Sequence, residues 1–294
     1  MDVKKVPELL SISGHPVGFG GCRNAGGEFD CCEYNISVFD DILGESVHDV
    51  SGNFVKLHHC SLSESDASVL VQLENLTILH DDQWNLRMFM AQIKEKREKI
   101  FDSYTQSCLV DAGIFANKSK EAVKTNDPFA AVWIKCAAYF LADTLFSINA
   151  MRPSPVHMLE ITRNLKKNDV NQTFSLVHQM LGMERASTSV LARMVKSTAG
   201  FSDMVENNGS SAIIKRKYEY LIENSLLSDC YFYLGYINRN NIVKIKSQIH
   251  KNPEYIHVLK TALDIESDHL TVDKQAAELL QRINELLSDI KDKK

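Results

Sequence analysis

Residues 17–39, with the sequence VGFGGCRNAGGEFDCCEYNISVF, constrain the fold of this chain more than any other segment. Two adjacent glycines end an apolar run, and a stretch of alternating polar and apolar residues follows, as is typical of a strand. A glycine pair lets the backbone come close to a phosphate because no Cβ blocks the approach. Acidic positions two apart on a strand point to the same face and can bind one metal ion. The segment therefore predicts a small sheet that carries a nucleotide or metal site.

The first 84 residues are predicted to form a small α/β unit with about four strands. They contain 8 of the 13 glycines and carry 14 acidic against 4 basic side chains. Short apolar runs bounded by Gly, Asp, Asn or Ser predict strands at 17–22, 32–39, 54–62 and 76–80. Helices are predicted at 3–11 and at 63–74, the second beginning near Ser63 and Asp66.

Residues 85–294 show helical periodicity and carry 24 acidic against 29 basic side chains. They predict a bundle of about eight helices, with a domain boundary near residue 84. The fold class expected is therefore α+β, a small mixed sheet with flanking helices followed by an all-α bundle. Helical segments are expected at 86–115, 127–151, 154–167, 170–182, 185–206, 212–227, 229–249, 254–265 and 272–290.

The cysteines and the longest apolar stretch predict a cytoplasmic protein. Seven cysteines without a CxxC pair or regular spacing argue against a disulfide framework and for a reducing compartment. No secretory apolar region is recognised at residues 1–10. The apolar stretch 129–146 contains Lys135 and Asp143, which favours a buried helix over a membrane span.

The order of motifs resembles a known family. A glycine pair at a strand end is followed by a short loop, the strand CCEYNISVF, a third strand, a helix, and the segment LTILHDDQWNL. This order resembles the minimal catalytic domain of the polymerase-beta-like nucleotidyltransferases, including the kanamycin nucleotidyltransferase type. In that family a Gly-Ser or Gly-Gly turn precedes an Asp-x-Asp/Glu strand. The resemblance covers the first 84 residues by motif and the remainder by architecture.

The resemblance implies a site for an NTP and Mg²⁺ in a cleft that the helical part completes. In such enzymes Mg²⁺ ions stabilise the attacking and leaving oxygens during transfer of a nucleotidyl group. Glu33 and Asn35 would bind the metal here, and no catalytic base is assigned. The residues that would hold the triphosphate are Gly20, Gly21, Cys22 and Arg23.

The ligands depart from the family pattern. Glu33 replaces the first Asp, Asn35 replaces the second with a neutral amide, and Cys22 replaces the serine, whose hydroxyl is a better donor. The third strand offers His58, His59 and Cys60 but no carboxylate. Mg²⁺ prefers oxygen ligands, so this set predicts a weak site.

Two alternatives use other residues of the same stretch. The carboxylates could instead be Asp30 with Glu33, or Glu28 with Asp30. A soft Zn²⁺ site could use Cys31, Cys32 and the residues 58–60, although adjacent side chains on a strand point to opposite faces.

The function expected is that of a nucleotidyltransferase-like protein with a degenerate metal site that binds an NTP. The alternatives are an active Mg²⁺-dependent enzyme that moves NMP to a hydroxyl, and a non-catalytic interaction module. The partners expected are a nucleotide and a protein partner, which is either a different protein or a second copy of this chain. No membrane partner is expected. The acidic balance argues against general nucleic-acid binding, despite the basic triplet 215–217.

Overall fold

The computed structural model describes residues 1–265 and 268–292, which divide into two compact units. The first unit comprises residues 1–104 together with 207–217, and the second comprises residues 105–206 and the described residues from 218 onward. The predicted boundary at residue 84 falls within the first unit, and as a statement about domains it stays a prediction.

The first unit is built on a five-stranded mixed sheet with the strand order β3-β4-β2-β1-β5. The β2–β4 pair is parallel, and the other neighbouring strands are antiparallel. A 3₁₀ turn at Val3–Lys5 precedes the first helix. The elements are α1 (Val6–Leu9), β1 (Val17–Gly20), α2 (Cys22–Ala25), β2 (Tyr34–Phe39), β3 (Gly44–Val50), β4 (Asn53–Cys60), α3 (Ala67–Leu73), β5 (Thr77–His80) and α4 (Asn85–Glu95).

The four predicted strands are confirmed, but the sheet has a fifth strand, β3, that the sequence reasoning missed. Its residues, GESVHDV, are half-exposed at the sheet edge and therefore lack a strong apolar pattern. A tight turn connects β3 to β4, with positive φ at Ser51 (54°) and Gly52 (77°). Two consecutive positive φ values are characteristic of a type I′ hairpin turn. The Ser-Gly dipeptide was therefore the signal for this hairpin.

One face of the sheet is apolar. Val17, Ile36, Val38 and Val55 are fully buried there, and Val6 of α1 belongs to the same cluster. Because successive side chains of a strand alternate in direction, the intervening residues lie on the opposite face. The register places Asn35 beside Lys56, and Ser37 beside His58. The second face is therefore polar, and it carries the candidate site.

Asp81 links the sheet to the helix that follows. It comes directly after β5, is 7% exposed, and accepts hydrogen bonds from the backbone amides of Leu86 (3.3 Å) and Arg87 (3.0 Å). These amides belong to the first turn of α4, which has no partners for them within the helix. The carboxylate thus fixes the start of α4.

The second unit is helical, so the predicted α+β class with a helical C-terminal part is confirmed. Ten helices begin after residue 84 in the described part of the chain, against about eight expected. Residues 97–104 of α5 and 210–217 of α10 belong to the first unit. After α4, the helices are α5 (Arg97–Lys124), α6 (Ala130–Ile148), α7 (Met158–Asn164), α8 (Asp169–Leu181), α9 (Thr188–Val205), α10 (Ser210–Glu223), α11 (Leu227–Ile245), α12 (Tyr255–Ala262) and α13 (His269–Asp292).

Helix α6 is the central helix of the second unit. It is long and apolar enough to cross a membrane by length and composition, but 89% of its most apolar window is buried within the protein. The prediction of a buried helix is therefore confirmed. Helix α11 approaches it closely at Gly235, where a Cβ would lie 1.9 Å from the hydroxyl oxygen of Tyr139.

Candidate functional site

The predicted phosphate-binding turn lies between β1 and α2. Gly21 has φ +74°, which favours glycine, and it precedes the first residue of α2. A Cβ at Gly21 would lie 2.5 Å from the Asn35 amide nitrogen, and one at Gly20 would lie 2.7 Å from Leu76. The glycine pair therefore packs its backbone against side chains of the protein itself.

Glu33, one of the two predicted metal ligands, pairs with a lysine. Its Oε2 lies 2.6 Å from Nζ of Lys217, a residue of α10 that belongs to the same unit. Both residues are buried, with exposures of 8% and 3%. Burial by itself would raise the pKa of Glu33, but Lys217, a backbone hydrogen bond and Lys56 together outweigh burial and hold this pKa below its ordinary value. The carboxylate is therefore ionised and neutralised by an internal cation.

Asn35, the second predicted ligand, begins a chain of polar contacts across three strands. Its Oδ1 lies 3.1 Å from Nε2 of His58 on β4. Nδ1 of the same histidine lies 2.8 Å from Glu45 on β3, and Glu45 also pairs with Lys56 at 2.8 Å. Burial lowers the pKa of His58. For Glu45, burial opposes ionisation, but contacts with His58 and Lys56 lower its pKa overall. Glu45 therefore remains charged and has two partners.

Arg23, predicted to bind the nucleotide, holds the loop that precedes β2. Its Nε donates to the carbonyl of Cys32 at 2.6 Å, and its Nη2 donates to the carbonyl of Asp30 at 3.0 Å. The guanidinium also lies over the ring of Tyr34, 4.6 Å from the centroid. Arg216 donates to the same Asp30 carbonyl at 3.3 Å. Both arginines therefore stabilise the loop through backbone oxygens.

Cys22, the fourth residue predicted for the triphosphate, lies close to the thiol of Cys32. Its Sγ and that of Cys32 are within 4.8 Å of each other. The Cys32 thiol is the hydrogen-bonding neighbour of both Cys22 and Cys31, and together with burial it raises the pKa of these two thiols. Lys217 acts in the opposite direction and lowers both pKa values.

The residues of the two alternatives are distributed differently from expectation. Glu28 and Asp30 are exposed on the loop, whereas Glu33 is buried. Of the proposed zinc ligands, His58 contacts Glu45, and His59 Nδ1 lies 2.8 Å from Asp40. The binding of Mg²⁺ by Glu33 and Asn35, and of a nucleotide at the turn, stays a prediction.

Sequence reasoning missed the partners that fill this face of the sheet. Lys217 was noticed only as part of a basic triplet, and Glu45 lies on the strand that was not predicted. Lys56 and His58 do alternate on one face of β4, which is a visible signal. Their proximity to Asn35 depends on the parallel β2–β4 register, which a single sequence does not specify.

This chain resembles known proteins in structure and not in sequence. No protein-family model matches this chain, and no curated protein is significantly similar in sequence. Among solved structures, a nucleotidyltransferase-like protein from Exiguobacterium sibiricum is similar over 86% of this chain and 89% of that chain. The sequence identity is 13% and the TM-score is 0.35.

Proposed function

We propose that this protein is a nucleotidyltransferase-like module that does not transfer nucleotides and acts as a non-catalytic binding module. The observation that carries the proposal is the buried ion pair between Glu33 and Lys217, with 2.6 Å between Oε2 and Nζ. An ammonium group lies where the family resemblance expects a metal cation. The charge of the carboxylate is therefore already neutralised within the chain.

Metal binding at Glu33 would have to displace this lysine. Lys217 is 3% exposed, so its ammonium would be left without its carboxylate partner in a buried environment. Breaking a buried ion pair in this way costs about 3–5 kcal/mol. The other predicted ligand, Asn35, is a neutral amide, so the metal would gain little charge interaction in return.

The phosphate side of the site supports the same proposal. Arg23 is the predicted cation for the triphosphate, and it donates to the carbonyls of Asp30 and Cys32. Asn35 occupies the space beside Gly21. A nucleotide would therefore have to compete with contacts that stabilise the protein. In this proposal the nucleotidyltransferase-like fold serves as a binding surface, and the partner expected is another protein.

The test measures Mg²⁺-dependent nucleotide binding and transfer. The purified chain is melted with each NTP at millimolar concentration, with and without Mg²⁺, because a bound ligand raises the melting temperature. Pyrophosphate release is measured under the same conditions. We expect no Mg²⁺-dependent shift and no release, for the native chain and for Glu33→Ala alike. A shift and pyrophosphate release that both disappear in Glu33→Ala would overturn the proposal.

A gain-of-function pair tests the role of Lys217 directly. Lys217→Met combined with Asn35→Asp removes the internal cation and restores a second carboxylate. We expect this variant to bind Mn²⁺, a substitute for Mg²⁺, where the native chain does not. Lys215→Met is the matched control, because Lys215 is exposed on the same helix. The claim that Lys217 takes the place of the metal would be contradicted if the native chain bound Mn²⁺ as tightly as the double variant, or if the double variant bound none.

A further inference from the structure

A pocket of the first unit lies between α3, α4 and the start of α5, and we call it the α3–α5 pocket. Its volume is about 290 Å³, and its lining comes from residues 64–103 alone. Ligand pockets in proteins measure about 300–1,000 Å³ and are mostly apolar with a few polar groups. The α3–α5 pocket is therefore of a size to hold one small molecule.

The apolar part of this pocket is held in place by the packing of the unit. Phe89, Ile93 and Ile100 line the pocket and are 8%, 3% and 9% exposed. The ring of Phe89 packs edge-on against Phe39 of β2, with 5.9 Å between the ring centroids. The apolar lining residues are Ala67, Leu70, Phe89, Ile93 and Ile100. A hydrocarbon chain that covered them would remove apolar surface from water, which favours binding.

Two lysines give the pocket positive charge. Lys96, between α4 and α5, and Lys99, in the first turn of α5, line the pocket, and both are exposed. The amide of Ile100 donates to the Lys96 carbonyl at 3.0 Å, so the backbone is helical here and residues three apart are neighbours. In the part of the chain that the structure describes, neither ammonium pairs with a carboxylate. Like charges at this spacing repel each other, so an anion beside the two lysines is favoured.

One carboxylate, that of Glu64, also lines the pocket, but it bonds to the backbone. Its Oε1 accepts hydrogen bonds from the amides of Ser65 and Asp66, at 2.7 Å each. These bonds fix the carboxylate in the turn that precedes α3. Two ammonium groups against one carboxylate leave the lining with a net charge of +1. The pocket therefore combines an apolar surface with an excess of positive charge.

We propose that the α3–α5 pocket binds a small amphiphilic anion, whose apolar chain covers the apolar lining and whose carboxylate or phosphate group pairs with Lys96 and Lys99. One water molecule takes roughly 30 Å³ in the liquid, so the pocket has the volume of about ten waters. This volume limits the ligand to about ten non-hydrogen atoms, the size of octanoate. A membrane lipid with two long chains is larger, so the ligand is a free molecule. The inference goes beyond the proposed function, because it involves neither the glycine turn nor the pair of Glu33 and Lys217.

The experiment titrates the purified full chain with octanoate and octyl phosphate by calorimetry, with octanol and octylammonium as the neutral and cationic counterparts. We expect at least one of the two anions to bind, one per chain, with a Kd below about 1 mM, which is an ordinary efficiency for a ligand of about ten non-hydrogen atoms. The tighter of the two anions identifies the head group. Octanol should bind more weakly, and octylammonium should not saturate. The proposal would be overturned if neither anion bound, or if octanol or octylammonium bound as tightly as the anions.

Variants separate the charged part of the pocket from the apolar part. Lys96→Gln combined with Lys99→Gln should weaken binding of the anion by about 3–30-fold and leave octanol binding unchanged, because two exposed charge contacts are lost. The matched control is Lys5→Gln combined with Lys94→Gln, which removes two charges from exposed positions outside the lining and should bind like the native chain. Ala67→Trp fills the pocket and should abolish binding. Native affinity in the Lys96 and Lys99 double variant, or in Ala67→Trp, would refute the site.

Photolabelling of the native chain keeps the test valid should Ala67→Trp fail to fold. An octanoate analogue with a terminal diazirine is irradiated with the protein, and mass spectrometry locates the adduct. We expect the adduct within residues 64–70 or 89–103, and excess octanoate should suppress it. An adduct elsewhere, or one that octanoate does not suppress, would overturn the site. Sedimentation with phosphatidylglycerol vesicles tests a membrane surface as the source of the anion, and capture by vesicles without binding of either free anion would also contradict the proposal.

Discussion

Replacing Lys217 by methionine removes the ammonium from its buried pair with Glu33 and leaves the side chain similar in size. The Glu33 carboxylate then stays buried but loses the cation that lies 2.6 Å from it in the native chain. Loss of one partner of a buried ion pair costs about 3–5 kcal/mol of unfolding free energy. We expect Lys217→Met to lose an amount in this range at pH 7, as measured by urea denaturation.

The loss of unfolding free energy in Lys217→Met should depend on pH, in a direction that follows from the pKa of Glu33. In the native chain the pKa of Glu33 lies below its usual value of 4.5, so the pair stabilises the folded state above that pH and stops doing so as the pH falls through the lowered pKa. In Lys217→Met, burial raises the pKa of Glu33 against the smaller opposing effects of a backbone hydrogen bond and Lys56, so we expect the folded variant to lose stability as the pH rises through 4.5 and above. The difference between the two proteins should therefore be largest at pH 7 and shrink as the pH approaches 4.5 from above.

Two further variants distinguish the effect of breaking the ion pair from the effect of shortening a lysine side chain. Glu33→Gln combined with Lys217→Met removes both charges and should recover much of the lost stability, because no buried charge remains. Lys215→Met, on the exposed side of α10, should change the unfolding free energy by no more than about 0.5 kcal/mol. A loss below about 1 kcal/mol in Lys217→Met, or a loss that does not depend on pH, would refute the reasoning.

Three other predictions concern positions where the backbone or a cap is tightly constrained. Gly21→Ala should destabilise the protein by about 1–3 kcal/mol, since it combines a positive φ with a Cβ 2.5 Å from Asn35; an unchanged thermal melt would contradict this. Asp81→Ala should cost about 0.5–2 kcal/mol, because it leaves the first amides of α4 without their acceptor, and hydrogen exchange of those amides should accelerate. Gly235→Ala should cost more than about 1 kcal/mol, because its Cβ meets the Tyr139 hydroxyl at 1.9 Å, and Tyr139→Phe should recover part of that loss in chemical denaturation. Full stability of Gly235→Ala would mean that the two helices separate at little cost.

Much of the fold follows from local patterns. The alternating segments predict four of the five strands to within a few residues, and the long apolar run predicts the buried helix α6. The sequence predicts these elements because the spacing of their apolar residues shows whether an element is buried on one face or on all sides. The edge strand β3 is not predicted in this way, because half-exposed residues such as Glu45 and His48 do not give a regular spacing of apolar residues.

The site is less readable from the sequence than the fold. Glu33 and Asn35 are visible as polar residues two apart, and this spacing indicates a ligand pair. Their partners come from other elements, with Lys56 and His58 on β4 and Lys217 on a helix far along the chain. Such pairings are set by strand register and helix packing, and a single sequence contains no local signal for either.

The glycine turn and the alternating strand after it were therefore determined by the sequence itself. Glycine is needed where φ is positive and a side chain packs on the backbone, and alternation is needed where one face of a strand is buried. Only the tertiary structure decided what surrounds them. It places the Lys217 ammonium on the Glu33 carboxylate and the Cys32 sulfur within 4.8 Å of the Cys22 sulfur, because contacts between distant segments, unlike helices and turns, depend on how the whole unit packs.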